Sequence, residues 1–204
     1  MKIALFGATG TIGTRIAREA VSRGHQVTAL SRSGADTGID GVESVRGDLG
    51  DAASVSEAAS AHDVIVSATG PSRTGESHEP WLAATQNLID HAGDTRVVFV
   101  GGAGSLLLPD GTRLLDSDGF PAEYLAEATS GATALDLFRA APQDLDWTFF
   151  SPAPVILPGE RTGTFTLGLD SPAGDQISAE DYAVALVDEL EQPRHRRQRF
   201  TAAN

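Results

Sequence analysis

No cysteine occurs anywhere in the 204 residues. Disulfides, thiolate nucleophiles and sulfur-based zinc or iron–sulfur sites are thereby excluded. Lysine is almost as scarce, since Lys2 stands alone at the head of an apolar run. A mechanism built on an active-site lysine has only that residue to draw on. No apolar stretch approaches the roughly 20 residues that a membrane-crossing helix needs. Positive charge is the minority sign: 15 Lys and Arg stand against 28 Asp and Glu, a formal net charge of −13. That balance argues against nucleic acid or an anionic membrane as partner. Basic residues gather only from Arg194 to Arg199, which reads as the solvated face of a last strand beside acidic neighbours. The first residues form a core strand rather than a charged segment, a greasy stretch and a cleavage site. No secretion signal is therefore expected, and the cytoplasm is the expected compartment.

What is present is glycine in a particular order. The apolar run Ile3 to Phe6 feeds into Gly7, Gly10 and Gly13, and a helical pattern (Ile16, Ala17, Ala20, Val21) follows. Strand, glycine turn and helix in that order form the setting in which such a motif implies dinucleotide binding. Gly7 permits the tight turn, Gly10 lets backbone approach a pyrophosphate, and Gly13 lets helix and strand pack closely. Thr9, Thr11 and Ile12 complete the turn, and the helix N-terminus offers unpaired N–H groups to phosphate.

Strands and helices alternate along the rest of the chain. Strands are expected over residues 2–6, 26–30, 42–46, 64–68, 96–100, 147–150, 164–167 and 197–202. Helices are expected over 11–23, 51–61, 80–91, 121–140 and 179–190. This alternation predicts a single Rossmann-like domain over 1–204, an α/β doubly wound parallel sheet with helices on both faces. Residues 151–204 are expected to contribute a small lobe on the substrate side.

In such a sheet, ligands bind outside the carboxyl ends of the strands. After the second strand come Ser31, Arg32 and Ser33, where an NAD site would place a carboxylate. A guanidinium flanked by hydroxyls suits a 2′-phosphate, so NADP(H) is expected in preference to NAD(H). The plainer reading of Arg32 is an exposed surface arginine. After the third strand, Asp48 can accept from an adenine amino group while Leu49 packs on the ring; alternatively Asp48 only turns the chain. Ala68, Thr69 and Gly70 bring backbone near the ribose and pyrophosphate. Gly102, within Gly101 to Ser105, bares backbone near the nicotinamide, and Ser151, Pro152 and Ala153 can hold its carboxamide. Ser105 and Tyr124 are the candidate catalytic hydrogen-bond donors, against plainer readings as a turn residue and a half-buried helix residue. Trp81 and Phe120 could stack on a ligand ring, but core packing is the expected role of each. His25 is expected to be solvated, and the histidines show no metal or triad spacing. Glu180 and Asp181 open a helix and suit its dipole.

The stretches Gly7-Ala8-Thr9-Gly10-Thr11-Ile12-Gly13 and Val100-Gly101-Gly102-Ala103-Gly104-Ser105-Leu106 resemble atypical short-chain dehydrogenases/reductases. Trp147-Thr148, Ser151-Pro152-Ala153, residues 158–163 and residues 177–183 extend the likeness. Within that superfamily the chain is similar to the NADH-flavin reductase, NmrA-like and biliverdin reductase B-like group. The resemblance implies a Rossmann fold and a nicotinamide cofactor. Standard members pair a tyrosine with a lysine four residues later. Here Tyr124 is followed by Ala128 and Tyr182 by Leu186, so that pair is missing.

Reducing a carbonyl calls for a positioned acid, whereas a conjugated ring spreads the charge it receives. The expected activity is therefore NADPH-dependent reduction of a planar flavin- or quinone-like acceptor, with flavin as substrate rather than resident cofactor. The alternatives are an NmrA-like sensor of NADP(H) that acts on a protein partner, and a nucleotide-sugar epimerase or dehydratase.

Overall fold

The computed structural model describes residues 1–204. The chain opens with β1 (Lys2–Phe6), α1 (Thr11–Ser22), β2 (Gln26–Ser31) and β3 (Val42–Arg46). It continues through α2 (Ala52–Ala61), β4 (Val64–Ser67), α3 (Glu79–His91), β5 (Arg96–Val100) and α4 (Ala122–Ala140). The last third holds β6 (Trp147–Pro152), β7 (Val155–Leu157), β8 (Thr166–Gly168), β9 (Gln176–Ser178), α5 (Ala179–Glu191) and β10 (Gln198–Ala203). Eight strands form one sheet in the order β3-β2-β1-β4-β5-β6-β10-β8, in which only β8 runs antiparallel to its neighbour. The expected doubly wound Rossmann-like sheet is what the chain forms. Strand order reverses beside β1, which opens a crevice above the carboxyl ends of β1 and β4.

The apolar runs explain the layering. Beyond Lys2 every residue of β1 is buried, as are all of β4 and β6, because parallel strands are covered on both faces. On one face, α1 and α5 pack over Ile3, Leu5, Val66 and Val98. On the other, α2, α3 and α4 enclose Phe6, Ile65, Phe99 and Phe149. Helix α1 ends where expected: Gly24 takes φ +82°, and its N–H and that of His25 bond back to Val21 and Ala20. Asp51 caps α2 by accepting from the Ser54 N–H at 2.9 Å.

Beyond Ser151 the chain divides its work. Helix α5 and strand β10 belong to the main core, where Tyr182 of α5 stacks on Phe150 of β6 at 4.0 Å and donates its hydroxyl to the Phe150 carbonyl at 2.6 Å. Burial pushes that phenol well above its usual range. Strands β7 and β9, which alternation does not reveal, form a separate two-stranded parallel ribbon. Ser151 and Pro152, expected in a loop after the sixth strand, lie within β6 because β10 pairs with them through Thr201 and Ala202.

Candidate nucleotide cleft

The glycine turn after β1 has no spare room on its protein side. Gly7 holds φ +84°, and a Cβ there would sit 2.6 Å from the Ala68 carbonyl oxygen. A Cβ on Gly13 would lie 2.1 Å from the Gly7 oxygen, so the first turn of α1 rests directly on the strand end. Gly10 differs. Its backbone is extended (φ −76°, ψ 167°), and a Cβ would meet only the Gly7 oxygen, at 3.4 Å. Neither fold geometry nor packing demands a glycine at that position, whereas a ligand pressed against the backbone would. Helix α1 has no side-chain cap and no acid in its first turn. The N–H groups of Thr11, Ile12 and Gly13 find no backbone acceptor within the protein. Thr9 and Thr11 are exposed and Ile12 is half-buried beside them. A terminus of this kind is electrostatically suited to an anion.

At the carboxyl end of β2, Arg32 and Ser33 are exposed, and Arg32 makes neither an ion pair nor a side-chain hydrogen bond. The turn is shaped by Ser31, whose hydroxyl accepts from the Gly34 N–H at 3.1 Å. One strand over, Asp48 is exposed, and its Oδ1 accepts from the Gly50 N–H at 2.9 Å. That bond leaves Oδ2 free for a ligand. Leu49 is 6% exposed and belongs to the core layer with Leu30, Val55 and Leu88, so of this pair only Asp48 is exposed.

Behind β4, Ala68 and Thr69 are half-buried and Gly70 is exposed. Thr69 Oγ1 accepts from the Trp81 indole at 3.3 Å, and Trp81 packs on Phe99 with ring centres 5.9 Å apart. Trp81 is thus a core-edge aromatic, as expected, and Phe120 is half-buried. Added Cβ atoms on Gly70 and Gly102 would meet nothing within 4 Å, so both strand ends present bare backbone. The loop after β4 is clipped to α4 from two sides. His78 sits between Ser130 Oγ and the Ser72 carbonyl, each 2.8 Å away, and Arg73 pairs with Glu127 at 2.6 Å. Tyr124, expected to be half-buried, is 57% exposed because it lies on the outer side of the first turn of α4.

Ser105 is 7% exposed, and its hydroxyl oxygen accepts from Arg199 Nη1 at 2.9 Å. Nothing in the chain accepts the Ser105 proton, which leaves that hydroxyl a donor. Arg199 corrects the reading of the tail. Its strand β10 lies between β6 and β8 rather than at a solvated edge, so the arginine is buried, 4% exposed, and paired with Asp170. Burial lowers its pKa while Asp170 works the other way. The rest of the tail is equally engaged: His195 meets Glu189 at 2.8 Å, and Arg197 donates to the Pro142 carbonyl at 2.8 Å. His25 is likewise held rather than solvated, with Nε2 3.0 Å from Glu191. Ser151, fully buried beside Thr201, has a hydroxyl with no partner, and Pro152 and Ala153 are buried next to it.

Glu180 and Asp181 do more than face a helix dipole. They pin the strap 158–163 across α1 and α5: Asp181 accepts from the Thr162 hydroxyl and the Gly163 N–H, and Glu180 from Gly159 and Arg15. Burial raises the carboxyl pKa of both acids, and these hydrogen bonds outweigh it and lower them. Lys2 lies at the amino end of β1, where it borders a groove of about 750 Å³ with His25, Glu57 and His62. That end of the strand is opposite the glycine turn. No group of His, Asp and Glu side chains could hold a metal ion, and no helix is long and apolar enough to cross a membrane.

Residues 7–193 match the NAD(P)H-binding family. Among solved structures, a Burkholderia pseudomallei protein provisionally called exported is 49% identical, with a TM-score of 0.89 and all of both chains covered. A Bacteroides thetaiotaomicron protein provisionally called an epimerase is 34% identical, with a TM-score of 0.88 over 99% of this chain and 96% of that one. A Streptococcus pneumoniae protein provisionally called an NADH-flavin reductase is also 34% identical, with a TM-score of 0.84 over 100% and 99%.

Proposed function

We propose, from the premise that the chain belongs to the NAD(P)H-binding family, that it is an NADPH-dependent reductase of a planar flavin- or quinone-like acceptor. One observation carries the reading. The cleft at the carboxyl ends has the nucleotide cradle but no tyrosine–lysine pair, since the only lysine sits at the amino end of β1. Proton delivery to an isolated carbonyl is therefore not what these residues are arranged to do. A conjugated ring disperses the charge and can take its proton from water, so proximity is the main requirement.

A bound nicotinamide supplies the hydride; everything else is assigned to the protein. The backbone of Gly7 to Gly13 and the start of α1 hold the diphosphate. Arg32 takes the 2′-phosphate, and Asp48 Oδ2 accepts from the adenine amino group. Ala68, Thr69 and Gly70 flank the ribose with bare backbone. Gly102 lets the acceptor lie close, while Ser151, Pro152 and Ala153, buried in and just after β6, back the wall behind the nicotinamide rather than touch its carboxamide. Ser105 donates its free proton in a hydrogen bond to an acceptor oxygen, while Tyr124 closes the rim beside the Arg73–Glu127 pair.

The test mixes purified protein with NADPH and FMN, riboflavin or a small quinone and follows loss of the reduced-nicotinamide absorbance. Consumption well above the rate without protein supports the reductase. Tight NADPH binding with no acceptor consumed overturns it in favour of a non-catalytic sensor that answers to a protein partner. Turnover of a nucleotide sugar would instead favour an epimerase.

A further inference from the structure

We propose that Arg46, at the end of β3, is a second ligand of the cofactor's 2′-phosphate and shares with Arg32 the discrimination between NADPH and NADH. The proposal rests on the dinucleotide reading above and adds a residue that the glycine motif and the β2 end do not indicate.

Three observations converge on it. The first is adjacency. Parallel pairing sets Arg46 directly opposite Ser31, so the ends of β2 and β3 bring Arg32 and Arg46 to neighbouring positions on one rim. The turn after β2 is laid against Arg46 itself: Gly34 holds φ +64°, and a Cβ there would be 3.1 Å from the Arg46 nitrogen and 3.3 Å from its Cβ. Gly47 N–H also donates to the Ser31 carbonyl at 2.9 Å, which locks the two strand ends together.

The second is the absence of counter-charge in an acidic protein. At a net charge of −13, acids outnumber bases, and nearly every arginine is engaged with a carboxylate, an amide oxygen or a carbonyl. The arginines whose side chains make no hydrogen bond or ion pair are Arg18, on the outer side of α1, and these two. Both Arg32 and Arg46 are exposed. Glu43 and Glu57 line the groove that Arg46 also borders, yet neither comes within ion-pair distance of it. Two unpaired guanidinium groups carried on adjacent strand ends suit a doubly charged anion bound between them.

The third is the polarity of the surrounding groups. The hydroxyl oxygens of Ser31 and Ser33 are taken as acceptors by the Gly34 and Ala35 N–H groups. Their protons meet no acceptor in the chain, so both hydroxyls are free to donate. Asp36, the nearest acid in the loop, commits Oδ1 to the Gly38 N–H at 3.0 Å. Guanidinium forks beside donor hydroxyls match a phosphate dianion, and they supply no carboxylate to accept from a ribose 2′-hydroxyl.

The experiment measures binding rather than turnover. Isothermal titration of 2′,5′-ADP and of 5′-AMP is run on the parent protein, Arg46→Gln, Arg32→Gln and the double variant, each checked for an unchanged melting curve. Arg46→Gln is expected to weaken 2′,5′-ADP by about tenfold to a hundredfold while 5′-AMP stays within about twofold. The double variant should bind the two ligands alike, and Arg46→Lys should recover part of the preference because charge survives without the fork. If Arg46→Gln leaves 2′,5′-ADP unchanged, or weakens both ligands equally, the assignment of Arg46 is wrong. Should the parent prefer 2′,5′-ADP while only Arg32→Gln abolishes it, the dinucleotide reading stands and this inference alone fails. If neither ligand binds the parent protein, both fall.

Discussion

Arg199 donates from Nη1 to the hydroxyl of Ser105, 2.9 Å away and 94 residues earlier in the chain. The guanidinium is 1% exposed and its remaining contacts go to Asp170, which is half in water. The bond anchors the loop after β5 and leaves the serine proton without an acceptor in the chain. Ser105→Ala strands a buried donor, which costs about 1–3 kcal/mol. Urea unfolding should read that loss, while NADPH affinity should stay within about twofold. Turnover with the acceptor should fall as well. An unchanged unfolding midpoint would show that Arg199 has another acceptor.

Gly10 and Gly13 should separate folding from binding. Gly13→Ala pushes a methyl into the Gly7 carbonyl and should lower the melting temperature sharply. Gly10→Ala fits its extended backbone, so stability should change by no more than about 0.5 kcal/mol. Its nucleotide affinity should nevertheless drop by about tenfold or more, because the methyl occupies the approach of the diphosphate. A Gly10→Ala protein that binds NADPH normally would place the diphosphate elsewhere.

Arg32→Ala should weaken NADPH by about tenfold to a hundredfold while leaving NADH nearly untouched. Fluorescence titration of both reduced cofactors decides it. Equal losses, or none, would remove the 2′-phosphate from this strand end.

Glu19 makes part of the stability pH-dependent. Hydrogen bonds from Arg161 at 2.7 Å lower its carboxyl pKa most, burial opposes them, and Arg23 adds to the lowering. A depressed folded-state pKa stabilises the fold above the unfolded value of about 4.3 and loses that contribution as pH falls through the folded value. Arg161→Ala should therefore move the acid-unfolding midpoint upward in pH. Arg161 is half exposed, so the loss at neutral pH should be about 1 kcal/mol or less. No movement in circular dichroism titration would mean that Arg23 alone suffices.

The sheet was legible because its strands are short, apolar and punctuated by glycine, and the glycine turn because its neighbours specify what each residue must do. The β7–β9 ribbon was not. Val155–Leu157 and Gln176–Ser178 are too short to show alternation, and the pairing depends on a strap held by acids from α1 and α5. Arg199 was hidden for a different reason. A charged run looks like surface until Arg199, Thr201 and Ala203 are seen to alternate with Phe200 and Ala202, which marks a strand buried on both faces. Tyr124 and His25 show the reverse difficulty, since nothing local says which way a side chain on a helix start or a turn will point. Arg46 gave no signal at all, because its significance comes from what lies across the ladder.

Strand β10 sits between β6 and β8, so the sheet is closed from the inside by residues that follow every other strand along the chain. Until residues 198–203 are in place, β6 keeps a naked edge, and Phe150 lacks the Phe200 ring that stacks on it at 4.0 Å. Unpaired edges of that kind invite other chains. A partly folded chain in which β10 has not yet slotted in is thus the state most open to aggregation, and docking of this one strand removes that exposure.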